Sequence, residues 1–152
     1  MNKKIFAAGL ALALGAGFTL DAAAQAKPET LVKQRQAAMT LVGKYWGPLA
    51  GMAQGKLPYD ANIVARNAGY LDALSKMPWD GFDASTANEK SGTLPEAYKD
   101  AAGFKAAQDK LQGEVGKLVA AAKGGNEAAI KAQLGEVGKT CGGCHNTFRQ
   151  KQ

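Results

Sequence analysis

Apolar residues recur at steps of three and four through most of the chain, and the runs that carry this period are separated by stretches rich in Gly, Pro, Asp and Ser. Segment A, about residues 28–54, places Leu31, Ala38, Met39, Val42, Tyr45, Trp46 and Leu49 on one face. Pro28 and Glu29 suit a first helical turn, and Pro48 predicts a kink in the last ones. "GKLPYDAN" breaks the pattern. Segment B, about residues 60–76, turns Ile63, Asn67, Tyr70, Leu71 and Leu74 inward. "MPWDGFDASTANEKSG" is the longest linker, and its Trp79 and Phe82 are apolar enough that it should fold back on the core. Thr93-Leu94-Pro95-Glu96 reads as a capping box that opens segment C, which continues to about residue 123 through Phe104, Leu111, Val115, Leu118 and Val119. Gly124-Gly125 stops it, and Asn126 caps segment D, where Ile130, Leu134, Val137, Cys141, Cys144 and Phe148 follow one another at steps of 4, 3, 4, 3 and 4.

No β-alternation of useful length occurs. Four helices with short A–B and C–D connections predict an all-α fold, an antiparallel up-down-up-down four-helix bundle; three helices with one broken segment is the competing arrangement. Gly43, Gly69, Gly103, Gly113, Gly116, Gly135 and Gly138 fall inside these helices. Each costs about 1 kcal/mol against Ala, which implies either close helix approach or room for something large.

The N-terminus has a different character. Lys3 and Lys4 precede an apolar run from Ile5 to Leu20, followed by Asp21 and small residues. This is the pattern of a secretory signal over residues 1–24, cut after Ala24, with Ala26 as the second site that fits. Residues 25–152 are then one soluble, exported domain that does not engage the membrane. Removing Lys3, Lys4 and Asp21 lowers the formal charge of +6 by one. The remaining basic residues are spread at helical intervals without a Lys/Arg block, a distribution that favours acidic partners over nucleic acid.

The only two cysteines and the only histidine stand together in "CGGCHNTFRQKQ". Two thiols one helical turn apart, with a histidine directly after the second, meet the demands of covalent haem: one thiol per vinyl group and an imidazole on the same side for the iron. A zinc site would need further ligands, a redox dithiol belongs beside a strand, and a local disulfide leaves the apolar face of segment D unexplained. Nothing after His145 can ligate a metal, so any second axial ligand must come from upstream. In an up-down-up-down bundle His145 lies about 7 Å from the shared end of A and D, Arg35 about 10 Å and Met39 about 16 Å, with Met52 about 35 Å away. Met77 is at the right level but in the loop. No hydrogen-bond donor or carboxylate is expected near Met39, and the only histidine is committed, so the distal acid–base group of a haem enzyme is missing and the chain reads as a non-enzyme.

"AKPETLVKQRQAAMTL" with its Arg-x-x-x-Met, "PYDA", "LSKMPWDGF", "PEAYKDAAGFK" and "CGGCHNTFRQK" together resemble cytochrome c′, a family of exported four-helix haem proteins of bacteria. The resemblance implies one haem c per chain, bound through Cys141 and Cys144, with His145 as the axial iron ligand. It implies Met39 on the opposite, distal face, Arg35 beside the haem propionates and Arg149 next to His145. It further implies a five-coordinate, high-spin iron that binds NO and CO, electron transfer with a partner protein, a periplasmic location and a homodimer formed through helices A and B. Cytochromes c-556 are similar and use a methionine at the Met39 position as sixth ligand, so a low-spin His/Met electron carrier is the alternative. On spacing alone, Arg149 falls four residues past His145 on the same helix face, in a last turn where a cation suits the helix dipole.

Overall fold

Side-chain caps fix where three of the four long helices begin. The Asp60 carboxylate accepts from the amides of Asn62 and Ile63, Asp100 from Gly103, and Asn126 from Ala129, so each meets amides that the first helical turn leaves without partners. The computed structural model describes residues 26–151, and the expected signal segment lies outside the described residues. The helices are α1 (Pro28–Ala53), α2 (Ala61–Leu74), the single turn α3 (Glu96–Lys99), α4 (Ala101–Gly124) and α5 (Glu127–Phe148), with 3₁₀ turns at Trp79–Phe82 and Ala84–Thr86. There is no strand among the described residues, only one isolated bridge between Thr93 and Arg149. Gly125 ends α4 in the left-handed region, φ 72°, where glycine carries no Cβ penalty.

The four long helices form the expected antiparallel bundle. α1 packs on α2 and α5, and α4 packs on the same two, so α1 and α4 lie diagonally opposite. Leu49, Val64, Leu71, Val115, Leu118, Ile130, Leu134 and Val137 are all at most 2% exposed and form the main core. Burying each such side chain stabilises the fold by about 1.5–3 kcal/mol relative to leaving it in water. A second, aromatic cluster joins Phe104 and Phe148 to Trp79 and Phe82, with the Phe104 and Phe148 rings edge to face at 5.1 Å. The long linker does fold back as its aromatics require. Cys141 packs against the first cluster and Cys144 against the second, and the site lies between the two.

Three sequence expectations change. Thr93–Glu96 does not form a capping box: Pro95 precedes the single turn α3 without a side-chain cap, and Asp100 is the residue that caps the long helix. Tyr70 does not point into the core but is 46% exposed, its ring tilted against that of Tyr45 with centroids 4.7 Å apart; Val64 and Ala68 take the buried face instead. The interior glycines divide in role. Gly43 borders the cavity described below, Gly138 lies against Trp46, and Gly69, Gly113, Gly116 and Gly135 face open space.

Candidate functional site

A cavity of about 440 Å³ opens between the two clusters, within the size range of cofactor sites. α1 contributes Arg35, Gln36, Met39, Thr40, Gly43 and Trp46; the connection contributes Trp79, Phe82 and residues 91–93; α4 contributes Phe104, Ala107 and Leu111. Its remaining wall is Thr140, Cys141, Cys144, His145 and Phe148 of α5, with Arg149 just beyond. All six residues singled out from sequence therefore meet at one cavity. Met52 is buried in the main core and Met77 is 56% exposed, and neither borders it.

Cys141 and Cys144 are free, half-buried and one turn apart on α5. Burial pushes both thiols above their ordinary pKa, and the nearby Cys141 adds to the rise at Cys144. Among the described residues no group of three or more His, Cys, Asp or Glu converges as a metal-ion site. His145 stands in the last turn of α5. Desolvation, then the positive charge of Arg149, holds its imidazole below the ordinary histidine pKa and favours the neutral form, the one that ligates iron.

Arg149 is close to His145 by a different route from the one its spacing implied. α5 stops at Phe148, and Arg149 is extended, φ −126° and ψ 140°, with its amide donating to the His145 carbonyl at 3.2 Å. The chain is turned out of the helix by two cross-chain bonds, Leu94 N–H to the Phe148 carbonyl at 2.9 Å and Gln150 N–H to the Gly92 carbonyl at 2.8 Å. A long-range pairing has overridden the helical register.

Arg35 is the most constrained side chain of the site. It is 3% exposed, and its guanidinium donates to the Gly81 carbonyl at 2.5 Å, Thr86 Oγ1 at 2.9 Å, Tyr98 Oη at 3.0 Å, Ser91 Oγ at 3.0 Å and Thr93 Oγ1 at 3.2 Å. It also stacks on Phe82, 4.4 Å from the ring centroid. Every acceptor is neutral, and among the described residues the cavity wall contains two arginines and no carboxylate. A buried cation without a counter-charge is costly, so the wall favours an anionic group, as the two propionates of haem would be. The cavity size, the paired thiols, the neutral imidazole and the cationic wall all fit that cofactor. None of the five Arg35 acceptors was legible beforehand as part of the site, since a run such as "STANEKSGT" carries only the local signature of a loop.

Met39 is half-buried on the α1 wall. Its surroundings are more polar than expected, because Gln36 and Thr40 also border the cavity. The Thr40 hydroxyl donates to the Gln36 carbonyl at 2.9 Å, which leaves the Gln36 amide as the nearby polar group.

A family model described as "Cytochrome C′" matches residues 30–149. The chain is 46% identical over 127 residues to cytochrome c′ of Rubrivivax gelatinosus, covering 82% of this chain and 98% of that one. The crystal structure of the Rubrivivax gelatinosus protein superposes with a TM-score of 0.77 at 44% identity, over 82% of this chain and 98% of that one. A nitric oxide complex of a cytochrome c prime variant from Alcaligenes xylosoxidans gives a TM-score of 0.76 at 40% identity, over 83% and 98%. With the bundle, the terminal cysteine pair and these likenesses in agreement, the chain belongs to the cytochrome c′ family, whose members carry one covalently bound haem c per chain.

Proposed function

We propose that this protein is an exported, periplasmic electron carrier and gas-binding cytochrome, with a five-coordinate haem iron that takes up NO and CO, and that it is not an enzyme. When bound, the haem supplies a redox-active iron able to exchange one electron and to bind diatomic gases. In this reading Cys141 and Cys144 would hold the cofactor through their sulfurs, and His145 would ligate its iron through the neutral imidazole. Arg35 offers the buried positive charge that the propionates neutralise. Met39 covers the opposite side as an apolar lid, and Arg149 stands beside His145, where it can meet NO approaching from that side. The observation that carries the reading is the convergence of Cys141, Cys144, His145 and Met39 on one cavity with a cationic, carboxylate-free wall.

Residues 1–24 act as the export signal, removed after Ala24, or after Ala26 in the second reading. No helix among the described residues is long and apolar enough to cross a membrane. Homodimer formation through α1 and α2 is supported by two large apolar side chains that these helices leave exposed, Leu41 at 43% and Tyr70 at 46%. Replacing both with Lys should halve the mass seen in sedimentation. Absorption spectra of the oxidised and reduced protein test the central claim: high-spin spectra in both states support it. A low-spin ferrous spectrum would favour the alternative, a c-556-type carrier in which Met39 is the second axial ligand, which its place on the cavity wall permits.

A further inference from the structure

Thr93 touches both arginines of the site through different chemistry. Leu94 N–H bonds to the Phe148 carbonyl and Gln150 N–H to the Gly92 carbonyl, which makes Thr93 and Arg149 the non-hydrogen-bonded pair of an antiparallel bridge. In such a pair the Cα atoms approach to about 4.5 Å and the two side chains leave the same face, closer together than in the alternate pairing. Arg149 is thereby held extended beside His145 and cannot continue α5. On its other side Thr93 Oγ1 accepts from the Arg35 guanidinium at 3.2 Å, and its own amide donates to Ser91 Oγ at 3.3 Å. Ser91 accepts from Arg35 as well. A loop of three residues is thus clamped between the buried guanidinium and the chain leaving the cysteine–histidine motif.

We propose that Thr93 is a positioning residue, which sets the place of Arg149 beside His145 by tying it to the anchored Arg35. Arg35 is anchored on the connection by Gly81, Thr86 and Tyr98, and so it serves as the fixed end. Arg149 is exposed, its side chain has no hydrogen bond or ion pair among those of the described residues, and its backbone bridge is its main restraint, so it is the end that responds. The control falls on the His145 side of the cavity. Met39 stands on α1, outside the bridge, and access along its side is unaffected.

This inference rests on the haem reading above. The test compares wild type, Thr93→Val and Thr93→Ser as haem-loaded proteins. Thr93→Val keeps the β-branched shape and removes the acceptor for Arg35. Three quantities are measured: hydrogen exchange of the Gln150 and Leu94 amides, the rate of NO release, and the rate of CO association. Thr93→Val should raise exchange at both amides at least tenfold and change NO release at least threefold. CO association should stay within twofold, and Thr93→Ser should restore all three values. Unchanged exchange and NO release in Thr93→Val would overturn the inference, as would an equal change in CO association, which would mean a general loosening of the cavity. Should Thr93→Val not fold, Thr93→Ala is read by the same criteria. A wild-type protein without a covalent haem spectrum would instead overturn the reading beneath, and the exchange data would still report whether Thr93 holds the bridge.

Discussion

Arg35 crosses directly over Gly81. A β-carbon built on Gly81 would lie 2.8 Å from Arg35 Cβ and 2.9 Å from the Leu31 carbonyl oxygen, distances at which one side must move. Gly81 is needed here for close approach, since only a bare α-carbon lets the linker reach α1. Gly81→Ala should destabilise the protein by about 1–3 kcal/mol, the usual cost of overpacking a tight site. A urea titration checks this, and a midpoint equal to that of wild type would contradict the crossing.

The same knot makes Arg35 hard to replace by a conservative cation. Lysine offers one compact ammonium where the planar guanidinium reaches five acceptors. Arg35→Lys should leave several buried acceptors unsatisfied and lower stability by about 2–4 kcal/mol. Chemical denaturation with circular dichroism measures it. A loss below a few tenths would show the knot to be incidental.

What could be read from the chain follows from the range of the interactions involved. The starts of α2 and α5 were legible because they lie at Asp60 and Asn126, which act on amides two and three residues away. The cysteine pair and His145 were legible because their chemistry lies within five consecutive positions. Thr93 misled for the opposite reason: its local sequence offers a capping box, while its actual partners, Arg35 and Arg149, are 58 and 56 positions away. Arg149 lies beside His145 through a geometry its spacing does not foretell, since no helical spacing predicts a bridge to residues 92–94. The burial of Arg35 depended on side chains contributed by loops, whose composition says only that they turn.

The thiols give a direct chemical test. With Cys141 and Cys144 both changed to Ser, each vinyl group lacks its sulfur, and acid–acetone extraction should remove the cofactor completely. Covalent haem remaining on the double variant would refute the attachment.

Met39 decides between the two kinds of cytochrome. As an apolar lid it slows ligand approach without bonding to iron, so Met39→Ala should speed CO association severalfold and leave the ferrous spin state unchanged. Flash photolysis and absorption spectra read both quantities. A wild type that is low-spin when reduced, turning high-spin in Met39→Ala, would establish a bond from the methionine sulfur.

The hydrogen bonds of Arg35 span between 46 and 63 residues of chain. α4 and α5, by contrast, are joined through Gly125 and Asn126 alone, and their hairpin closes at little entropic cost. We therefore expect the polypeptide to collapse through its helical hairpins first and to secure Arg35 after the rate-limiting barrier. Interactions formed that late leave the speed of folding almost untouched and act on the speed of unfolding. In those terms the buried arginine is a device for longevity, lengthening the life of the folded state around its cavity.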